Sequence, residues 1–123
     1  MVKLELYNKK KDIMGKFVIT KRTNGEFQFN LKANNGQIIL ASEGYSTKVN
    51  CENGIASTKQ NAQIDARFER KISSNNKHYF NLKASNGQII GSSEMYESEA
   101  ARENGIASVK NNAPDAIIED LSN

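Results

Sequence analysis

Two carboxylates placed alike, Glu43 and Glu94, are the residues of this 123-residue chain best suited to acid–base work. Each lies in a Ser-Glu-x-Tyr stretch that ends at Tyr45 or Tyr96. A carboxyl pair can divide the roles of proton donor and acceptor when an apolar or like-charged neighbourhood drives the two pKa values apart. The adjacent residues supply no such neighbourhood. The stretch has a structural use instead, because a Ser or Glu ahead of a helix satisfies amides of the first turn and the tyrosine packs over the sheet end with its hydroxyl bonded locally. Structure is therefore expected at both glutamates, and a small enzyme built on Glu43 and Glu94 is the weakest functional reading.

Other chemistry fares worse. A Cys51–His78 nucleophile pair is conceivable by residue type. Against it, a repeat described below aligns Cys51 with Arg102, which suggests a solvent-facing helix position, and His78 with Phe27, which suggests a strand residue at the apolar side or rim of a sheet. One histidine and one cysteine offer no H-x-x-x-H or C-x-x-C spacing, so neither a metal site nor any cofactor is expected. The lone cysteine cannot close an internal disulfide, which agrees with a reducing compartment. The "NGQII" and "NGIAS" stretches are neither a P-loop nor a G-x-G-x-x-G, and the first opens a strand, so they are read as turns rather than phosphate cradles.

The elements that must position these residues are written twice. "FNLKANNGQII" at 29–39 returns as "FNLKASNGQII" at 80–90, and the offset of 51 holds without a gap from Phe29/Phe80 to Ala62/Ala113, with 22 of 34 aligned positions identical. So long a match marks tandem duplication of one structural unit. Within it "EFQFNLK" alternates, with Phe27, Phe29 and Leu31 on one side and Gln28, Asn30 and Lys32 on the other. The second copy sets His78, Phe80 and Leu82 against Tyr79, Asn81 and Lys83. "KFVIT" and "ARFERKI" alternate ahead of these strands, and Asn24-Gly25, Asn35-Gly36 and Asn86-Gly87 are read as type I′ hairpin turns. Helices are expected to open at the hydroxyl caps Thr47 and Ser98, with Val49, Ile55 and Ala56 as an apolar stripe. Gly54 and Gly105 fall inside them, and close approach to the sheet is the reason favoured for a residue that costs a helix about 1 kcal/mol. Pro114 ends the second helix before a last strand at "DAIIEDL".

If both helices cover the Phe-rich side, the other sheet face is open, and Gln28, Asn30, Lys32, Tyr79, Asn81 and Lys83 form the candidate binding face. Charge narrows what it would hold. The total is +3, but residues 1–22 carry +5 and the rest −2, with seven acids against Arg102 and Lys110 from Glu94 onward. A chain polarised in this way presents no single phosphate-tracking surface, so a protein partner is preferred and a weak nucleic-acid or polyanion binder is the alternative. Base stacking also needs several exposed aromatics, and only Tyr79 offers itself. No apolar run approaches the roughly 20 residues of a membrane span, and the opening residues lack an apolar signal core, so a cytoplasmic location is expected.

The stretches "GKFVITKRTNGEFQFNLKANNGQIILASEGYSTK" and "YFNLKASNGQIIGSSEMYESEAARENGIASVKNNAPDA" resemble the two halves of the YegP-like family of small bacterial proteins, over about residues 14–121. The resemblance implies an α+β fold, a tandem duplication of a βββα(β) unit that forms one antiparallel sheet with two helices on one face and exchanged terminal strands. Single-copy members pair as dimers, so a monomeric covalent pseudo-dimer is expected here. The family has no established activity and supplies no catalytic, cofactor or metal residues. Met14 resembles the usual family start, which divides the chain into an extension at 1–13, whose "VKLELY" suits an edge strand, a first repeat at 14–66 and a second at 67–123 within one compact domain.

Overall fold

The computed structural model describes residues 15–123, so the expected edge strand at 1–13 lies outside the described residues. Alternation of apolar and polar side chains builds strands β1 (Lys16–Lys21), β2 (Phe27–Lys32) and β3 (Ile38–Ser42), followed by helix α1 (Lys48–Asn61). A 3-10 turn at Asp65–Arg67 leads into the second series: β4 (Phe68–Ile72), β5 (His78–Lys83), β6 (Ile89–Ser92), α2 (Glu99–Asn112) and β7 (Ile117–Asp120). All seven strands join one sheet in the order β4-β5-β6-β3-β2-β1-β7.

The centre of that sheet explains the repeated sequence. Strands β3 and β6 pair antiparallel with Ala41 opposite Ser92, and these are equivalent positions of the two repeats, 51 apart. Equivalent residues facing one another define a local twofold axis, the isologous contact of a symmetric dimer made within one chain. Both helices pack on the same side, and one buried cluster containing Phe17, Phe29, Leu31, Ile55, Phe80, Leu82, Ile106 and Val109 runs through both repeats. Aromatic packing repeats as well. Phe17 meets Phe29 edge-on at 5.6 Å and Phe29 stacks with Tyr45 at 6.3 Å, while Phe68, Phe80 and Tyr96 do the same at 5.6 and 6.5 Å.

Several local expectations hold and several change. Thr47 and Ser98 cap the helices by accepting hydrogen bonds from the amides of Asn50 and Ala101 at 3.1 and 3.0 Å. A Cβ on Gly54 would lie 2.7 Å from Tyr45 Cζ, and one on Gly105 would meet Tyr96 at the same distance, so close approach is the reason for both glycines. The helix stripe is different. Val49 is 64% exposed and Ala56 is also exposed, while α1 buries Cys51, Gly54, Ile55, Thr58 and Asn61. That i, i+3, i+4, i+7 pattern is helical, but its cysteine, glycine and polar members conceal it from a count of apolar residues. Type I′ turns are not formed either, because Gly25, Gly36 and Gly87 have positive φ and the asparagines before them do not. Each turn closes from the Gly amide to the carbonyl three residues back, as in Gly25 to Arg22 at 2.9 Å, and the asparagine earns its place by accepting the amide two residues on, as Asn35 does from Gln37 at 3.0 Å.

The terminal strand also departs from a purely antiparallel sheet. β7 crosses to the first repeat and pairs parallel to β1, with Phe17 opposite Ile118, while the other five ladders are antiparallel. Among the described residues one terminal strand, β7, crosses to the other repeat, while the chain after α1 turns into β4 at the opposite edge. Lys48 at the start of α1 clasps β7 through Asp120 at 2.8 Å. That ammonium, followed by Ser122, holds the Asp120 carboxyl down at about 2. A lowered carboxylate pKa contributes above the unfolded value near 3.9 and is lost as pH falls toward the folded one. We expect the Asp120 carboxyl resonance to titrate near pH 2 in the native chain and to move up toward the ordinary range in Lys48→Met. An unmoved titration would show that Lys48 does not set it.

Candidate functional site

The polar face is built by strand register. A single row crosses the sheet with one residue per strand: Glu119, Val18, Asn30, Ala41, Ser92, Asn81 and Glu69. Gln28 and Lys32 flank Asn30 two residues away along β2, and Tyr79 and Lys83 flank Asn81 along β5, so all six predicted residues share one face. The helices lie on the opposite side. Register alone therefore brings the six together.

What sequence reading missed is how far these groups are already engaged with one another. Asn81 is 5% exposed, donates to Glu69 at 3.0 Å and accepts from Ser92 at 2.6 Å. Lys83 reaches the same carboxylate at 2.8 Å. Lys83, then Asn81, lowers the Glu69 pKa, so this carboxylate stays charged. In the first repeat Arg22 donates to Gln28 at 2.8 Å, and Gln28 donates to Asn30 at 3.1 Å. Lys16 pairs with Glu119 at 3.8 Å. Lys32 and Lys71 have no carboxylate within salt-bridge distance among the described residues. The signal for this network was available, because Glu69 alternates with the buried Phe68 and aligns with Val18 of the first repeat. The face is thus a set of fixed hydrogen-bonding groups with two lysines in excess.

Glu43 and Glu94 are exposed, and neither glutamate serves as a helix cap. The serines before them stitch the sheet instead: Ser42 Oγ accepts the Phe29 amide at 2.9 Å, and Ser93 Oγ accepts that of Phe80 at 3.0 Å. Burial raises the pKa of Tyr45, with smaller contributions from Cys51 and Glu43, and burial followed by Glu94 raises that of Tyr96. Glu43 and Tyr45 border a cleft of about 910 Å³ between α1 and the β5–β6 turn, so one wall comes from each repeat.

Cys51 corrects its expected exposure: it is fully buried, and Arg102 at the equivalent position is 6% exposed with its guanidinium on Glu103 at 3.0 Å. Burial, then Glu52 and Asp120, pushes the Cys51 thiol up to about 11. A thiol held protonated is a poor nucleophile. His78 is half-buried, and its Nδ1 has no hydrogen-bond partner among the described residues, so no Cys–His dyad forms. Cys51 is expected to react with an aromatic disulfide reagent at least a hundredfold more slowly in the native chain than in urea; equal rates would contradict its burial. Among the described residues no group of three or more His, Cys, Asp or Glu side chains is gathered to hold a metal, and no helix is long and apolar enough to cross a membrane.

Known proteins share this sequence pattern and fold. The model of a domain of unknown function, DUF1508, matches at residues 23–69 and again at 73–120. A UPF0339 protein encoded in the 5′ region of the ptx operon of Stutzerimonas stutzeri is 57% identical over 109 residues, 89% of this chain and 98% of its own. The UPF0339 protein YegP of Escherichia coli K12 is 50% identical over 106 residues, 86% of this chain and 96% of its own. A solution NMR structure of a UPF0339 protein from Shewanella oneidensis superposes with a TM-score of 0.84 at 49% identity, covering 88% of this chain and 92% of that one. The NMR structure of E. coli YegP, a protein of unknown function, gives 0.85 at 48%, covering 89% and 95%. On these matches the chain belongs to the YegP-like, UPF0339 family of bacterial proteins and carries the DUF1508 domain twice.

Proposed function

We propose that the protein is a non-catalytic binding module that receives an acidic protein partner on its polar sheet face. On this reading it is a cytoplasmic monomer whose repeats, 14–66 and 67–123, act as a covalent pseudo-dimer. The observation that carries it is a pair of side-chain networks on one face, Arg22–Gln28–Asn30 and Ser92–Asn81–Glu69–Lys83, with Lys32 and Lys71 beside them. Groups already held by their neighbours lose little side-chain entropy on binding, which is the benefit of a preorganised surface. Seven strands about 4.8 Å apart and four to six residues long offer roughly 600 Å², somewhat below the ~800 Å² that each side of a standard interface buries. Four lysines against two glutamates, Lys16, Lys32, Lys71 and Lys83 against Glu69 and Glu119, leave the face positive and favour acid on the partner.

The test is capture of partners from native lysate by the intact chain and by the double charge reversal Lys32→Glu/Lys71→Glu. A defined partner held at moderate salt by the first and lost by the second supports the reading. Identical partner sets would sink it. Retention on a phosphate polymer that falls steeply with salt would transfer the face to nucleic acid.

A further inference from the structure

The cleft between α1 and the β5–β6 turn lies on the helix side of the sheet, away from the polar face, and duplication makes it readable. Twelve residues line it. Eleven of those twelve positions carry the same residue in the other repeat, the exception being Asn50 against Ala101, whereas only 11 of the other 22 aligned positions do. Uniform descent from a duplication would spread identity evenly; here it is concentrated where the two repeats meet. Turn geometry accounts for the Asn-Gly pair, and packing against tyrosine accounts for Gly54. Neither accounts for Glu43, Asn53 and Gln88. These three are exposed, their side chains make no hydrogen bond to another described residue, and Glu94, Asn104 and Gln37 in the other repeat share both properties. On the same helix, the exposed positions outside the cleft are mixed: Val49 and Gln60 have changed to Ala100 and Asn111, while Glu52 and Ala56 are kept as Glu103 and Ala107.

The lining also selects a chemistry. No Lys or Arg borders the cleft among the described residues, which disfavours a phosphate or carboxylate ligand. Apart from Glu43, its polar side chains are amides and hydroxyls, Asn53, Gln88, Ser57 and Tyr45 among them, and these groups both donate and accept. Their complement is a ligand whose groups also do both, and a carboxylate accepts readily from two neighbouring hydroxyls. Ile89, Ile90 and Gly54 supply an apolar floor for C–H groups. A volume of about 910 Å³ falls within the usual range of small-molecule sites. We infer that this inter-repeat cleft binds a neutral polyhydroxylated ligand, a small saccharide, with Glu43, Asn53 and Gln88 as its hydrogen-bonding residues.

Amide shifts of the full, isotope-labelled chain titrated with an array of neutral mono- to trisaccharides test this, with inorganic phosphate and trilysine as contrasting probes. Saturable shifts at Gly54, Gly87 and Gln88 with a neutral saccharide are expected. Glu43→Ala/Gln88→Ala, which removes exposed groups and should keep the native melting temperature, is expected to weaken binding at least about tenfold. The inference is overturned if no saccharide in the array moves these amides, if phosphate or trilysine does so instead, or if the double variant binds equally well. Lys32→Glu/Lys71→Glu should leave saccharide binding unchanged, so failure of the sheet-face proposal and failure of this one are distinguishable.

Discussion

Phe29→Ala is expected to lower unfolding free energy by roughly 3–5 kcal/mol, read from the midpoint of urea unfolding. Phe29 is fully buried, edge-on to Phe17 and stacked with Tyr45, and it lies against Gly54 of α1. Truncation leaves a void bounded by aromatic rings and a strand backbone, none of which can collapse freely. Domains of this size are stable by only about 5–15 kcal/mol, so a third or more of the total is at stake. Phe80→Ala, at the equivalent site with the same neighbours, should cost a similar amount. A loss under about 1 kcal/mol for either would mean that the aromatic layer does not hold the sheet to the helices.

The second large effect comes from the local twofold itself, because equivalent side chains near such an axis compete for one space. Leu40 and Gly91 are equivalent positions, and the leucine is fully buried. A Cβ on Gly91 would lie 2.8 Å from the Ala41 carbonyl oxygen and 3.0 Å from Leu40 Cγ. The duplication has therefore diverged here to one large residue and one absent side chain. Gly91→Ala is expected to destabilise by about 1–3 kcal/mol through overpacking, and Leu40→Ala by about 2–5 kcal/mol through its cavity. Combined, the two should cost less than their sum by about 1 kcal/mol, because the smaller residue at 40 relieves the side-chain part of the clash at 91 and leaves the contact with the Ala41 carbonyl. Strict additivity in the double-mutant cycle would show that the two do not share the space.

Much of the fold was legible because its physics is local. Alternation placed Phe29 and Asn30 on opposite faces, hydroxyls at Thr47 and Ser98 marked the helix starts, and a glycine in mid-helix pointed to close approach, which the structure shows to be against a tyrosine. The six face residues were legible for the same reason, since a period of two suffices to group them. The remainder depends on pairings between distant segments. Nothing within "IIED" says that it will lie parallel to β1, because four residues without alternation carry no face and no register. The burial of Cys51 and Arg102 was hidden by their residue types, and the engagement of Asn81 required Glu69 from a neighbouring strand. The cleft joins Glu43 to Gln88, 45 positions apart, although the uneven identity of the repeats would have disclosed it.

The polar face and the cleft both exist only if the two repeats form one cooperative sheet joined at Ala41 and Ser92. Native-state hydrogen exchange on Phe29→Ala addresses this most directly, because the substitution lies in β2 while the amides of Phe80 and Leu82 lie in β5 of the other repeat. The account predicts that their protection falls by as much as that of Leu31 beside the mutation, as in a single unfolding unit. Protection retained in β5 while β2 opens would contradict it.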